Sequence, residues 1–303
     1  MPSHRFMLLS LGLLALSLTA VLVACQKESD TSEIAPPAVV VDSVASPDGL
    51  MIHYDVRGQG DRTLVFVHCW TCDRTFWKNQ VDVFARDYRV VSADLGGHGE
   101  SPLGRQEWTM AAFGEDVASV VNKLDLKNIV LIGHSMGGPV IIEAARHLPG
   151  RVVGLIGVDN LQSLHQHIPD DQIAAFIANF QPDFGGSTRK FVASMFSATA
   201  DSALVEQISD VMSSADPEMA MGAMNSLLRY DYATAMADMR LPIRTISSDK
   251  YPTDVEGNRQ LAASFAVRLM PGQGHFPHLE DPAGFNRLLR ETLADFWPEE
   301  KKE

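Results

Sequence analysis

NIVLIGHSMGG, residues 128–138, joins three signals. Asn128–Ile132 is a short apolar run, the pattern of a strand buried on both faces of a parallel sheet. Gly133-His134-Ser135-Met136-Gly137 follows as a Gly-X-Ser-X-Gly element, and Pro139–His147 continues with helical spacing. A strand that turns sharply into a helix strains the residue at the turn, and flanking glycines leave room for it. The expected result is a Ser135 hydroxyl projecting above the sheet, beside a helix N-terminus that favours developing negative charge. The five-residue pattern alone also fits an inert small-residue turn. The strand before it and the helix after it give it chemical meaning.

The same rhythm extends in both directions. Val39–Ser46 and Met51–Arg57 read as strands joined by a turn at Pro47-Asp48-Gly49. Thr63–His68 and Tyr88–Ala93 are further buried-strand runs, and Val152–Val158, Ile243–Ser247 and Ala266–Met270 complete the set. Thr109–Leu124 carries Phe113, Val117, Val120, Val121 and Leu124 on one helical side, and Ala283–Phe296 reads as a closing helix. Strands alternating with helices predict a mostly parallel sheet covered on both faces. Residues 160–240 break the rhythm with helical patterns and no clear strand, and predict a helical cap inserted after the sixth strand. Seven of the 13 methionines lie there: Met195, Met212, Met219, Met221, Met224, Met236 and Met239. Adaptable methionines suit a loosely selective apolar pocket, and equally the cap's own core.

A serine hydroxyl is a weak nucleophile at neutral pH and needs a base. His275, in Pro271-Gly272-Gln273-Gly274-His275, follows the last strand in a glycine-rich loop and is the candidate. His278 precedes the entry to the final helix and reads as supporting. His134 packs beside the nucleophile, His98 belongs to a turn, and His165 and His167 either line a pocket or are solvated.

His68-Cys69-Trp70, Asp94-Leu95-Gly96-Gly97-His98-Gly99-Glu100-Ser101, Gly133-His134-Ser135-Met136-Gly137-Gly138 and Gly274-His275 occur in that order. Together they resemble the α/β-hydrolase superfamily over roughly residues 40–298. The resemblance implies an α/β fold with a mostly parallel eight-stranded sheet. Its core would span 39–159 and 241–298, with the cap at 160–240. It also implies a serine–histidine–acid triad and an oxyanion hole made by the backbone N–H groups of Met136 and Trp70. The acid has three candidates. Asp159 ends the sixth strand, Asp249 ends the seventh and occupies the usual family position, and Asp254 reads as a helix N-cap. Asp159 is favoured because its strand runs into it directly, with Asp249 as the alternative.

One residue departs from the family pattern. Cys69 stands where glycine is usual, so a backbone requiring positive φ would be strained there. Cys69 and Cys72 have a C-x-x-C spacing that fits either a disulfide or two buried thiols.

A serine at the turn excludes the alkyl-enzyme chemistry of relatives that carry aspartate there. It points to an acyl-enzyme and to a small or apolar carboxylic ester as substrate, with no metal or organic cofactor required. Acyl transfer, carbon–carbon bond hydrolysis and cofactor-free haloperoxidase chemistry use the same residues. An inert binding module is the rival of a different class. The whole-chain charge of −13, from 25 Lys+Arg against 38 Asp+Glu, disfavours nucleic acid as a partner. No pattern sets an oligomeric state.

The N-terminal segment reads as an address. His4 and Arg5 precede an apolar run from Met7 to Val23 that ends in Leu22-Val23-Ala24-Cys25. This resembles a bacterial lipobox, with residues 1–24 removed, Cys25 lipidated and 25–38 serving as a tether. Gln26 after the cysteine implies export to the outer membrane, facing the periplasm, with the membrane touched only through lipid. An uncleaved anchor helix is the alternative, since the run approaches the roughly 20 residues that span a bilayer.

Overall fold

The computed structural model describes residues 38–297. The expected leader, Cys25 and all of the tether except Ala38 lie outside the described residues. Eight strands form one sheet: β1 (Val39–Ala45), β2 (Met51–Arg57), β3 (Thr63–Val67), β4 (Arg89–Ala93), β5 (Ile129–His134), β6 (Val152–Val158), β7 (Pro242–Ser248) and β8 (Ser264–Met270). Their spatial order is β1-β2-β4-β3-β5-β6-β7-β8. The pairs β1–β2 and β2–β4 are antiparallel, and every other pair is parallel.

The helices are α1 (Lys78–Phe84), α2 (Met110–Lys123), α3 (Gly137–Arg146), α4 (Asp170–Ala178), α5 (Phe184–Met195), α6 (Ser202–Ser213), α7 (Pro217–Leu228), α8 (Tyr232–Met236), α9 (Val255–Leu261), α10 (Pro277–Glu280) and α11 (Pro282–Leu293). The central strands β3 and β5 are buried throughout because both faces are covered. Alternation divides their side chains. Val65, Val67 and Leu131 pack with Phe113 and Val117 of α2 and Val140 and Ile141 of α3. Leu64, Phe66, Val130 and Ile132 pack with Val81 and Phe84 of α1 and Phe285 and Leu289 of α11.

Two differences from the sequence expectation have local causes. β5 runs two residues past Ile132, because Gly133 and His134 continue the parallel ladder with Gly157 and Val158. α1 was not expected; at seven residues, with Val81 and Phe84 among its few buried side chains, it is too short for a readable period. Between β6 and β7 lie the five helices α4–α8. Four of them begin at an aspartate (Asp183, Asp201, Asp216 and Asp231) whose side chain accepts a backbone N–H of the first turn.

A buried carboxylate ties the β1–β2 turn to α2. Asp116 accepts from Ser46 Oγ (2.6 Å), Gly96 N (2.9 Å), and Arg105 Nη1 (3.1 Å) and Nη2 (2.6 Å). Arg105 also donates from Nε to Asp48 in the β1–β2 turn (2.6 Å). Burial pushes the Asp116 carboxyl up despite these donors, so its charge depends on them. Arg105→Met is expected to lower the unfolding free energy by about 3–5 kcal/mol at neutral pH. The loss should be smaller at pH 4, where the stranded carboxylate takes a proton; urea midpoints at the two pH values check both statements.

Candidate active site

Ser135 is one residue past β5, at φ 53. Four hydrogen bonds, with Val158, Gly138 and Asn160, hold this strained turn. Its N–H donates to Val158 O (3.1 Å), and its carbonyl accepts from Gly138 N (2.9 Å). The Asn160 amide donates to both Gly133 O (2.8 Å) and Ser135 O (2.9 Å). A Cβ on Gly133 would lie 2.2 Å from Gly137 O, and one on Gly137 would lie 2.7 Å from Val67 O. Glycine is therefore required at both positions by contact, not by φ. α3 starts at Gly137, so its N-terminus abuts the hydroxyl.

Ser135, His275 and Asp159 come together although they lie far apart in sequence. His275 Nε2 is 2.8 Å from Ser135 Oγ, and His275 Nδ1 is 2.7 Å from Asp159 Oδ2. A carboxylate only accepts, so Nδ1 carries a proton and donates it to Asp159, leaving Nε2 to accept from the serine hydroxyl. Burial alone would raise the Asp159 carboxyl. The hydrogen bond from His275, with Ser248 N and Oγ donating to Oδ1 (2.8 Å each), outweighs it and holds the group below the usual carboxylate range.

The other acid candidates have different roles. Asp249 accepts from Gly272 N (3.0 Å) in the loop before His275, and Asp254 caps α9 by accepting from Gly257 N (2.9 Å).

The family-model match falls on this framework: the description "Alpha/beta hydrolase family" fits residues 64–288. The chain belongs to the alpha/beta hydrolase family. It is a hydrolase enzyme by this membership and by its esterase relatives. The pimeloyl-[acyl-carrier protein] methyl ester esterase of Yersinia enterocolitica is 28% identical over 254 residues, covering 78% of this chain and 95% of that one. A non-heme chloroperoxidase of Streptomyces lividans is 38% identical over 113 residues, but only 36% of this chain and 41% of that one. An esterase from Exiguobacterium antarcticum superposes with TM-score 0.75 at 18% identity, over 84% of this chain and 99% of that one, a likeness of fold.

Within this alpha/beta hydrolase, a cavity of about 270 Å³ reaches Ser135 and His275. Cys69 and Trp70 form part of its wall; Phe176, Phe191, Met195, Met212, Met224, Leu227 and Leu228 come from the helices between β6 and β7. Three of the seven methionines thus face this cavity, whereas Met236 is core and Met219 packs near Trp108 and Gly97. His165 and His167 lie in a separate cleft with Tyr230 and Asp231. Cys69 and Cys72 are joined as a disulfide (Cα–Cα 5.2 Å). The strain expected at Cys69 falls instead on Thr71, at φ 54, a costly place for a β-branched residue. Among the described residues, the backbone N–H groups of Trp70 and Met136 donate to no protein acceptor.

Several positioning residues escaped the sequence reading. Ser248 and Asn160 sit at strand ends beside quoted acids, where Ser-Ser-Asp and Asp-Asn doublets were their only signal. Glu280 fastens the base loop by accepting from Gly274 N (3.0 Å) and Ser197 N (3.1 Å). His134 donates from Nε2 to the His275 carbonyl (2.7 Å), which is more than local packing.

Behind His275 the histidines are buried and neutral. Burial and neighbouring His275 push His278 down to about 3, and His134 falls well below its ordinary value by burial and the histidines around it. His98 is likewise pushed down to about 3 by burial and His68. Unfolded, each takes a proton near pH 6.5; folded, none does until far lower pH. The unfolded state therefore binds more protons in that window, and stability falls as pH drops, by up to about 1.4 kcal/mol per pH unit for each histidine. Denaturant midpoints should be constant between pH 7.5 and 8.5 and decline steeply from pH 6.5 to 4.5. A flat profile down to pH 4.5 would refute it.

Proposed function

We propose that this alpha/beta hydrolase is a serine carboxylic ester hydrolase acting through an acyl-enzyme. The observation that carries the reading is the unbroken Ser135–His275–Asp159 hydrogen-bond chain at the end of an apolar cavity. Ser135 Oγ attacks the ester carbonyl carbon as His275 Nε2 takes its proton. Asp159 keeps the imidazole in the Nδ1–H tautomer and stabilises its positive charge. The N–H groups of Trp70 and Met136 receive the oxyanion, with the α3 N-terminus behind them. His275 returns the proton to the leaving alcohol, and water then attacks the acyl-enzyme by the same route in reverse. The helices between β6 and β7 act as the cap, and their Phe, Met and Leu side chains favour an apolar acyl group.

The cavity falls just below the ~300–1,000 Å³ of sites for drug-sized ligands. Short and medium p-nitrophenyl esters should therefore turn over faster than palmitate. Ser135→Ala should abolish fluorophosphonate labelling and turnover, and Asp159→Asn should lower kcat by about 10⁴. Asp249→Asn should stay within a few-fold of wild type. Full turnover by Ser135→Ala, or an Asp249→Asn loss as large as that of Asp159→Asn, overturns the assignment. Acyl transfer shares the acyl-enzyme; added alcohol that diverts most of the acyl group from water would favour it.

The proposal includes export as a lipoprotein anchored through Cys25, at the outer membrane facing the periplasm. A disulfide among the described residues suits an oxidising compartment. Metabolic labelling with an alkynyl fatty acid should mark the full chain and be lost in Cys25→Ala; equal labelling of both refutes it.

A further inference from the structure

We infer that the Cys69–Cys72 disulfide is a positioning element of the reaction, clamping the turn that holds the Trp70 backbone N–H for the oxyanion. The inference rests on the serine-hydrolase reading above. Cys69-Trp70-Thr71-Cys72 is a four-residue turn closed by Cys72 N–H donating to Cys69 O (3.2 Å). Its third residue, Thr71, is at φ 54, a conformation that turns normally reserve for glycine or asparagine. The Thr71 hydroxyl is buried with no protein partner among the described residues. The turn is thus closed by one hydrogen bond against the preference of its own sequence. The disulfide joins the same two residues that this bond joins, and both are buried.

The peptide that matters lies inside the clamp. In a planar trans peptide the Cys69 carbonyl and the Trp70 N–H point in opposite directions, so fixing one fixes the other. The Cys69 carbonyl is held by Cys72 N–H and by His68 Nδ1–H (2.8 Å). His68 donates from Nδ1 because its Nε2 accepts from Leu95 N (3.0 Å). On the other side, the Trp70 indole N–H donates to Ala220 O of α7 (2.7 Å). The side chain and the carbonyl are both anchored, while the Trp70 N–H itself has no protein acceptor among the described residues and lies at the cavity wall. If the turn opened to relax Thr71, the Cys72 bond would be lost and the Cys69 carbonyl would keep only the His68 bond, about which the Cys69–Trp70 peptide could pivot. The disulfide forbids that opening at the cost of no side chain in the reacting chain.

The test compares the oxidised full chain, a Cys69→Ser/Cys72→Ser double variant, and the folded wild type reduced by a phosphine. In that reduction one S–S bond breaks and two S–H bonds form, and the phosphine takes oxygen from water to become its oxide. Each form is assayed for kcat and KM on p-nitrophenyl butyrate. Each is also assayed for inhibition by butylboronic acid, which places an oxygen where the oxyanion forms, and by butanol, which only fills the cavity. The expected result is a kcat about tenfold to hundredfold lower, since a misplaced donor loses part of the 10²–10³ that a missing one costs. Boronate inhibition should weaken by a similar factor, with KM and butanol inhibition within twofold. A lower melting temperature with unchanged kcat and boronate affinity would make the disulfide only a staple and overturn the inference. Equal weakening of boronate and butanol would also overturn it, by showing that the cavity itself collapses. The reduced wild type was folded before treatment, so it decides the matter if the double variant does not fold. Absence of fluorophosphonate labelling and boronate binding in the oxidised wild type would sink the serine-hydrolase reading itself; labelling with indifferent variants would sink only the clamp.

Discussion

Everything at this site depends on one strained backbone angle. Ser135 at φ 53 is held by close packing: β5 ends one residue earlier, α3 begins two residues later, and no Cβ fits on Gly133 or Gly137. A non-glycine residue at such an angle persists only when its surroundings over-determine it. Here they do, through Val158, Gly138 and Asn160. The same geometry that costs stability sets the hydroxyl at the N-terminus of α3 and in line with His275.

Strain recurs around the site in a pattern. Asp159 (φ 46) and Leu161 (φ 57) flank Asn160, and Thr71 (φ 54) closes the disulfide turn. Each lies one to four residues beyond the end of a parallel strand, where the chain leaves the ladder. The sheet supplies the rigidity. Asp159 N donates to Ile246 O of β7, so the acid stays locked to the ladder even as its backbone leaves it. Ser248, the last residue of β7, then donates twice to the same carboxylate.

The sheet and its two faces were legible because β3, β5 and β6 are short apolar runs with turn signals at their ends, and because α2 has a clean helical stripe. Val152–Val158 and Met51–Arg57 fall where the pattern put them. Ser135 and His275 were legible because each sits in a glycine-rich segment at a strand end. The choice among Asp159, Asp249 and Asp254 was less so, since all three follow strand signals. What separates them is a hydrogen bond across 116 residues, which no local pattern encodes. Asn160, Ser248 and Glu280 were missed for the same reason: each acts by a side chain reaching a backbone or carboxylate group far away in sequence. Cys69 and Cys72 left both alternatives open, because their spacing permits a bond without requiring one.

The segment between β6 and β7 meets the Trp70 and His275 loops in a particular way. Ala220 O accepts from the Trp70 indole, Met195 O accepts from His275 N (2.8 Å), Ser194 O accepts from Lys250 Nζ (2.9 Å), and Ser197 N donates to Glu280. On the side of this segment every one of the four contacts is a main-chain atom. Its side chains (Phe176, Phe191, Met195, Met212 and Met224) are left to face the cavity. The hydrogen bonds that orient the Trp70 loop and the His275 loop are thus made to backbone atoms of this segment, while its side chains shape the apolar wall and pack on the Trp70 ring. A wall residue can be exchanged without breaking any of these four bonds, which separates the shape of the cavity from the placement of Trp70 and His275.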